Sequence, residues 1–142
     1  MSTETDATLS RFKHPLCYVM GSLYIVAGVM HFVIPDAYVQ IVPPAFPRAR
    51  ELVYLSGIAE IALGVGVILP QTRRVAAWGL VALLIAIFPA NVYMATSGVV
   101  LTGAPEFVQN PSATARWARL PLQAVLILWA WWYTHPTPSD DG

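Results

Sequence analysis

The sequence predicts an all-α fold: a four-transmembrane-helix antiparallel bundle. Three observations predict it. Hydrophobic residues make up 56% of the 142 and charged residues only 11%, whereas a soluble domain carries roughly a quarter charged residues to cover its surface. The apolar residues gather into four runs whose lengths approach what a hydrocarbon core about 30 Å thick requires of a helix. Polar or proline-rich stretches separate those runs. The length suits one domain. The net charge is zero and the basic residues are scattered, so nothing points to nucleic acid or to an acidic partner.

Residues 1–15, MSTETDATLSRFKHP, read as a polar N-terminal tail. A secretory signal needs a basic segment leading directly into an apolar core, followed by a small-residue cleavage site. No clear cleavage site follows here, so the first run is expected to be a retained span. The membrane domain is expected over residues 16–133, with spans at about 16–34, 52–69, 75–94 and 119–133.

Pro15 and Pro35 bound the first span. Gly21, Ser22 and Gly28 within it permit close helix approach. Tyr24 and His31, seven residues apart, share a face. The connection to Glu51 holds four prolines (Pro35, Pro43, Pro44, Pro47) and an apolar set, Tyr38, Val39, Ile41, Val42 and Phe46. It reads as an interfacial linker or as a lid over the bundle.

The second span carries Glu60 near its midpoint, about 12 Å from Leu52 at 1.5 Å per residue. A carboxylate at that depth costs about 2.5–3.5 kcal/mol on insertion scales, so it faces a protein interior or wet cavity and needs a partner. Ser56, Gly57 and Gly64 lie at i−4, i−3 and i+4, so the acidic face is also the small-residue face. The turn Gln71–Arg74 is short enough to return the third span antiparallel beside the second. Pro89 interrupts that third span near its end and frees a backbone carbonyl for Asn91 or a neighbouring helix to satisfy. The fourth span is short as a purely apolar run and needs Trp117 and Arg119 in the headgroup layer to reach spanning length. Trp129, Trp131, Trp132 and Tyr133 mark its other interface. Residues 134–142 read as a disordered tail.

With four spans both termini lie on the side of the Gln71–Arg74 turn. That side has Arg11, Lys13, Arg73 and Arg74; the other has Arg48, Arg50, Arg116 and Arg119, so the positive-inside comparison ties. Arg73 and Arg74 occupy the shortest loop, which favours cytoplasmic termini in a plasma membrane.

His31, Asn91, Arg119 and Gln123 stand near the ends of their spans that face the two long connections, and Glu60 lies below them. A ligand pocket opening towards those connections is the expected arrangement, with His31, Glu60, Asn91, Arg119, Gln123, Tyr24 and Ser56 as its candidate residues. The other half is expected to be lined by Ile, Val, Leu and Trp. Each residue also has a structural reading: Glu60 as an acid hydrogen-bonded to Tyr24, Asn91 or Gln123, His31 as an interfacial histidine, Asn91 and Gln123 as helix–helix contacts, Arg119 as a snorkelling cation.

Dithiol exchange requires a second cysteine beside Cys17. A bis-histidine haem is not expected, because His14 and His135 lie on the side opposite His31. His31 and Glu60 alone fall below the usual three protein ligands of a metal, so no metal is expected. Proton handling, or binding of a lipophile with a polar head, remains; an acid beside a histidine suits proton exchange with a quinone-like head group.

The runs GVMHFVIPDAYVQIVPPAFP, LSGIAEIALGVGVILPQTRRVAAWGL, IFPANVYMA and RLPLQAVLILWAWW resemble the DoxX family of small integral membrane proteins. That resemblance implies four helices and association with membrane redox systems, including quinone reduction. It makes a quinone a possible ligand and a membrane or soluble oxidoreductase a possible partner, beside membrane lipid and a possible homodimer. Alternatives are a non-catalytic membrane scaffold and a small proton-coupled transporter, which at this size would need a dimer.

Overall fold

Helix α1 (Ser2–Val33) opens the computed structural model, which describes residues 2–135. It runs straight through Pro15, so residues 2–15 are helix rather than a separate tail and Pro15 does not begin the span. A proline inside a helix removes one hydrogen bond and crowds the preceding turn. Contacts from outside hold this segment: Lys13 Nζ donates to the His135 carbonyl at 3.1 Å, and the Tyr133 hydroxyl donates to the Lys13 carbonyl at 2.9 Å.

After Ile34 a short helix, α2 (Pro35–Val39), starts with proline at its first position, where no N–H is needed. Arg48, at φ 56°, occupies the left-handed region and turns the chain into α3 (Ala49–Ile68). Helix α4 (Arg73–Ala86) breaks at Ile87, and α5 (Phe88–Ser97) resumes with Pro89 in its first turn. A single-turn helix, α6 (Glu106–Gln109), precedes α7 (Ala113–Trp132), whose first turn is capped by Ser112 accepting from the Ala115 N–H. Helix α7 therefore starts six residues before the expected position at 119. Pro121 lies within it. Among the described residues there is no strand. The expected tail at 134–142 falls outside the described residues from Pro136 onward, while Thr134 is buried and donates to the Trp131 carbonyl at 2.6 Å.

Helix α1 packs along α3, α3 along α4, and α4 and α5 along α7. Glycines set the first of these contacts. A Cβ on Gly57 would lie 3.0 Å from the Gly28 carbonyl oxygen, and one on Gly64 would lie 2.7 Å from that of Gly21. Backbone meets backbone at two crossings spaced seven residues apart on each helix, with the order reversed, so α1 and α3 are antiparallel. The core joins Cys17, Met20 and Tyr24 of α1 to Val67, Ala77, Leu80 and Leu84 of the two middle helices, and to Ala130 and Tyr133 at the end of α7.

Three helical segments, Arg11–Val33, Ala49–Ile68 and Arg73–Ser97, are long and apolar enough to cross a membrane. Their outer faces are apolar as well: Val26, Leu55 and Ile85 are 61, 64 and 59% exposed. Helices that are apolar all round belong in a lipid-like surrounding.

Candidate functional site

The glycine register of α1 and α3 determines what meets beside it. Glu60 is three residues after Gly57 and four before Gly64, on the face that α3 turns to α1. His31 is three residues after Gly28 on the opposing face. The close approach brings the His31 Nδ1 to 3.2 Å from the Glu60 Oε2. Both residues are 8% exposed.

His31 Nδ1 also lies 2.7 Å from the Ala27 carbonyl oxygen. Both neighbours are acceptors, so Nδ1 carries the hydrogen, and the shorter contact directs it to Ala27. A neutral ring then keeps its lone pair on Nε2. Glu60 Oε2 is left buried with no hydrogen bond although the His31 ring lies 3.2 Å away, and the Tyr24 hydroxyl is buried in the same condition. A buried polar atom without a partner costs roughly 1–3 kcal/mol, so each requires an explanation.

Above this pair, Tyr38 of α2 stacks on the His31 ring, with centroids 3.9 Å apart and planes inclined by 22°. Burial pushes the Tyr38 phenol above its ordinary value; the charge of Glu60 pushes the same way and that of Arg119 opposes it. Tyr38 is thus within electrostatic reach of both. Helix α2 is held from two sides. Asp36 pairs with Arg50 at 2.5 Å, and the Gln40 side-chain amide donates to the Thr102 carbonyl at 2.9 Å while accepting from the Thr102 N–H. The first long connection is thereby clasped to the second.

These elements enclose a cavity of about 560 Å³. Its walls are mainly apolar: Ile41, Val42 and Phe46 from the first connection, Leu52 and Leu55 from α3, Leu83 from α4. Its polar groups are His31, Tyr38, Ser56, Glu60, Asn91 and Arg119. The size and the mix suit a small amphiphile.

Five of the seven residues expected from sequence therefore line one cavity: His31, Ser56, Glu60, Asn91 and Arg119. The other two do not. Tyr24 lies in the core behind Glu60. Gln123, 3% exposed, donates to the Leu84 carbonyl and accepts from Asn91 Nδ2 at 2.5 Å. Leu84 stands in the last turn of α4, where carbonyls lack an intrahelical donor. The break at Ile87 thus calls for a donor from a neighbouring helix, and α7 supplies it. Tyr38 is the cavity residue missed as a candidate. Its signal was an aromatic side chain seven residues after His31, on a segment that resumes as helix after Pro35.

Residues 20–134 match the family described as a domain of unknown function (DUF8561). The chain belongs to this family. The match spans every residue named in the cavity. No curated protein and no solved structure matches.

The other end of the DUF8561 fold departs from the expected lining of Ile, Val, Leu and Trp. Lys13, Arg73 and Thr134 are buried there. Arg73 donates to the Val67 and Ile68 carbonyls at 2.8 and 3.0 Å, capping the end of α3. Lys13 lies 5.5 and 5.8 Å from the Trp132 and Tyr133 ring centres. Helix ends at that level need donors, and long basic side chains provide them.

Proposed function

We propose that this DUF8561 protein is a four-span membrane protein that binds a lipophile with a polar head, such as a quinone, in the α1–α3–α4–α7 cavity, and that it serves a membrane redox system together with an oxidoreductase. The observation that carries this reading is the unpartnered Glu60 Oε2, beside His31, at an otherwise largely apolar wall. A head group bearing a hydroxyl or carbonyl would complete its hydrogen bonding, while a chain would lie along Leu52, Leu55, Val42 and Phe46. An acid and an imidazole in contact are also suited to exchanging a proton with such a head. The resemblance of the four runs to DoxX proteins supports the redox association, and the exposed apolar faces support the membrane placement. Helix α7 makes the fourth span in this reading, with Arg116 and Arg119 in the headgroup layer and the termini cytoplasmic.

The test is quinone binding to the purified protein in detergent or nanodiscs. Glu60→Gln and His31→Ala should each weaken it by about tenfold, the equivalent of one lost hydrogen bond to a charged or polarised group. Unchanged affinity in both variants removes this site from the proposal.

A scaffold role is the second reading, and the Leu84–Gln123–Asn91 chain of hydrogen bonds favours it. It requires Glu60→Gln to lower the melting temperature while leaving any redox phenotype intact.

A further inference from the structure

Arg119 stands apart from the other basic side chains of the cavity region. Arg50 pairs with Asp36. Arg116, one turn earlier on α7, donates to the Ala95 carbonyl at 3.3 Å. Arg119 lines the cavity as an exposed residue, and its guanidinium makes no hydrogen bond or ion pair among the described residues. It interacts electrostatically with Tyr38. A guanidinium remains charged under all ordinary conditions and offers five donors in a planar fork. Glu60, the acid among the described lining residues, lies beside His31 on the α1–α3 face and makes no ion pair with Arg119.

We propose that the ligand of this cavity is an acidic amphiphile, whose carboxylate or phosphate is held by Arg119 while its apolar portion lies along Leu52, Leu55, Val42 and Phe46. This rests on the reading of the cavity as a lipophile site and narrows the class of head group. Three features support it. The guanidinium is the one fixed positive charge among the described residues of the lining. Tyr38, within reach of that charge, adds a phenolic donor on the same side. The apolar wall is continuous from α3 into the first connection, which suits a single chain rather than a compact polar metabolite. An anion is the head that a planar fork recognises with two parallel hydrogen bonds.

The same chemistry has two sources: a free single-chain acid within the cavity, and the phosphate of a bilayer lipid reached by Arg119 from its rim. The experiment separates them. Purified protein in a non-ionic, phosphate-free detergent is titrated with a long-chain fatty carboxylate, the alcohol of the same chain, and the monoalkyl phosphate. The carboxylate and phosphate should bind about tenfold more tightly than the alcohol. Arg119→Gln should erase that preference, bringing the acids down to the affinity of the alcohol, and Arg119→Lys should keep part of it. Nanodiscs enriched in anionic lipid are the second arm. Loss of carboxylate binding there in wild type, but not in Arg119→Gln, assigns the guanidinium to bilayer phosphate and overturns the free-acid ligand. Equal affinity for acid and alcohol in wild type overturns the charge preference while leaving the cavity reading in place. Binding of none of the three while quinone still binds overturns the acidic head alone; binding of neither these nor quinone overturns both.

Discussion

The two ends of the helical assembly bury polar groups in opposite ways. At the end formed by the Gln71–Arg74 turn, Lys13, Arg73 and Thr134 direct their donors at backbone carbonyls near helix ends, and Tyr133 at the Lys13 carbonyl within α1. At the end beneath the two long connections, Glu60 Oε2 is buried without a hydrogen bond, beside a cavity that an exposed Arg119 also lines. Buried polar groups are ordinarily satisfied. The first end follows that rule and serves the fold; the second departs from it around a space large enough for a ligand.

The strongest way to break the contrast is to force apart the helices common to both ends. Gly57→Leu places a side chain where a Cβ alone would lie 2.8 Å from His31 Cβ. The expected loss is about 3 kcal/mol from overpacking, together with ligand binding. Gly64→Leu meets the Gly21 carbonyl and should cost a similar amount. Thermal unfolding in detergent reads both. Unchanged melting temperatures would show that α1 and α3 are not held at backbone contact.

Next in size is Arg73→Met. It removes the donors to the Val67 and Ile68 carbonyls, and leaving those groups unsatisfied should cost about 2 kcal/mol. Ligand affinity should not change. Glu60→Gln should do the reverse: stability within about 1 kcal/mol of wild type, since one carboxylate oxygen has no hydrogen bond to lose, and clearly weaker binding of the lipophile. If Glu60→Gln destabilises as much as Arg73→Met, Glu60 belongs with the structural groups.

Much of this arrangement was legible in the sequence, and the remainder was not for identifiable reasons. Periodicity alone placed Glu60 on the face of Gly57 and Gly64, and a face that small has only a helix backbone to meet. His31 was legible only as a residue near the end of its span on the face of Tyr24; its contact with Glu60 depends on the register in which Gly28 meets Gly57. The partner of Gln123 was less accessible, because the Leu84 carbonyl becomes available only where the helix breaks at Ile87, two residues before the proline that signals it. In the sequence Lys13 and Arg73 bear only on orientation, as basic residues at span ends usually do. Their partners are carbonyls whose position depends on where α3 and α7 stop, and helix ends are the least certain feature of a sequence reading. The extension of α1 through Pro15 has the same origin: the contacts that hold it come from the other end of the chain.

The smallest expected effect is also the most direct check on the open end, because it places two charges around one phenol. Tyr38 lies in α2, outside the three apolar spans, and its ionisation is raised above the ordinary 10.0, first by burial, then by Glu60, with Arg119 opposing. For a raised acid the neutral form is the one the fold favours. Its contribution to stability is therefore complete below the ordinary value and is lost as pH rises through the folded one. An alkaline titration followed by tyrosinate absorbance should lose one late step in Tyr38→Phe. Arg119→Gln removes the charge that favours the phenolate and should move that step to higher pH. Glu60→Gln removes the charge that disfavours it and should move the step lower. Opposite shifts would place Tyr38 within reach of the Arg119 charge and the Glu60 acid, as a ligand head bridging the two walls requires. Shifts of the same sign, or none, would separate Arg119 from the His31–Glu60 pair and leave the cavity with a single polar wall.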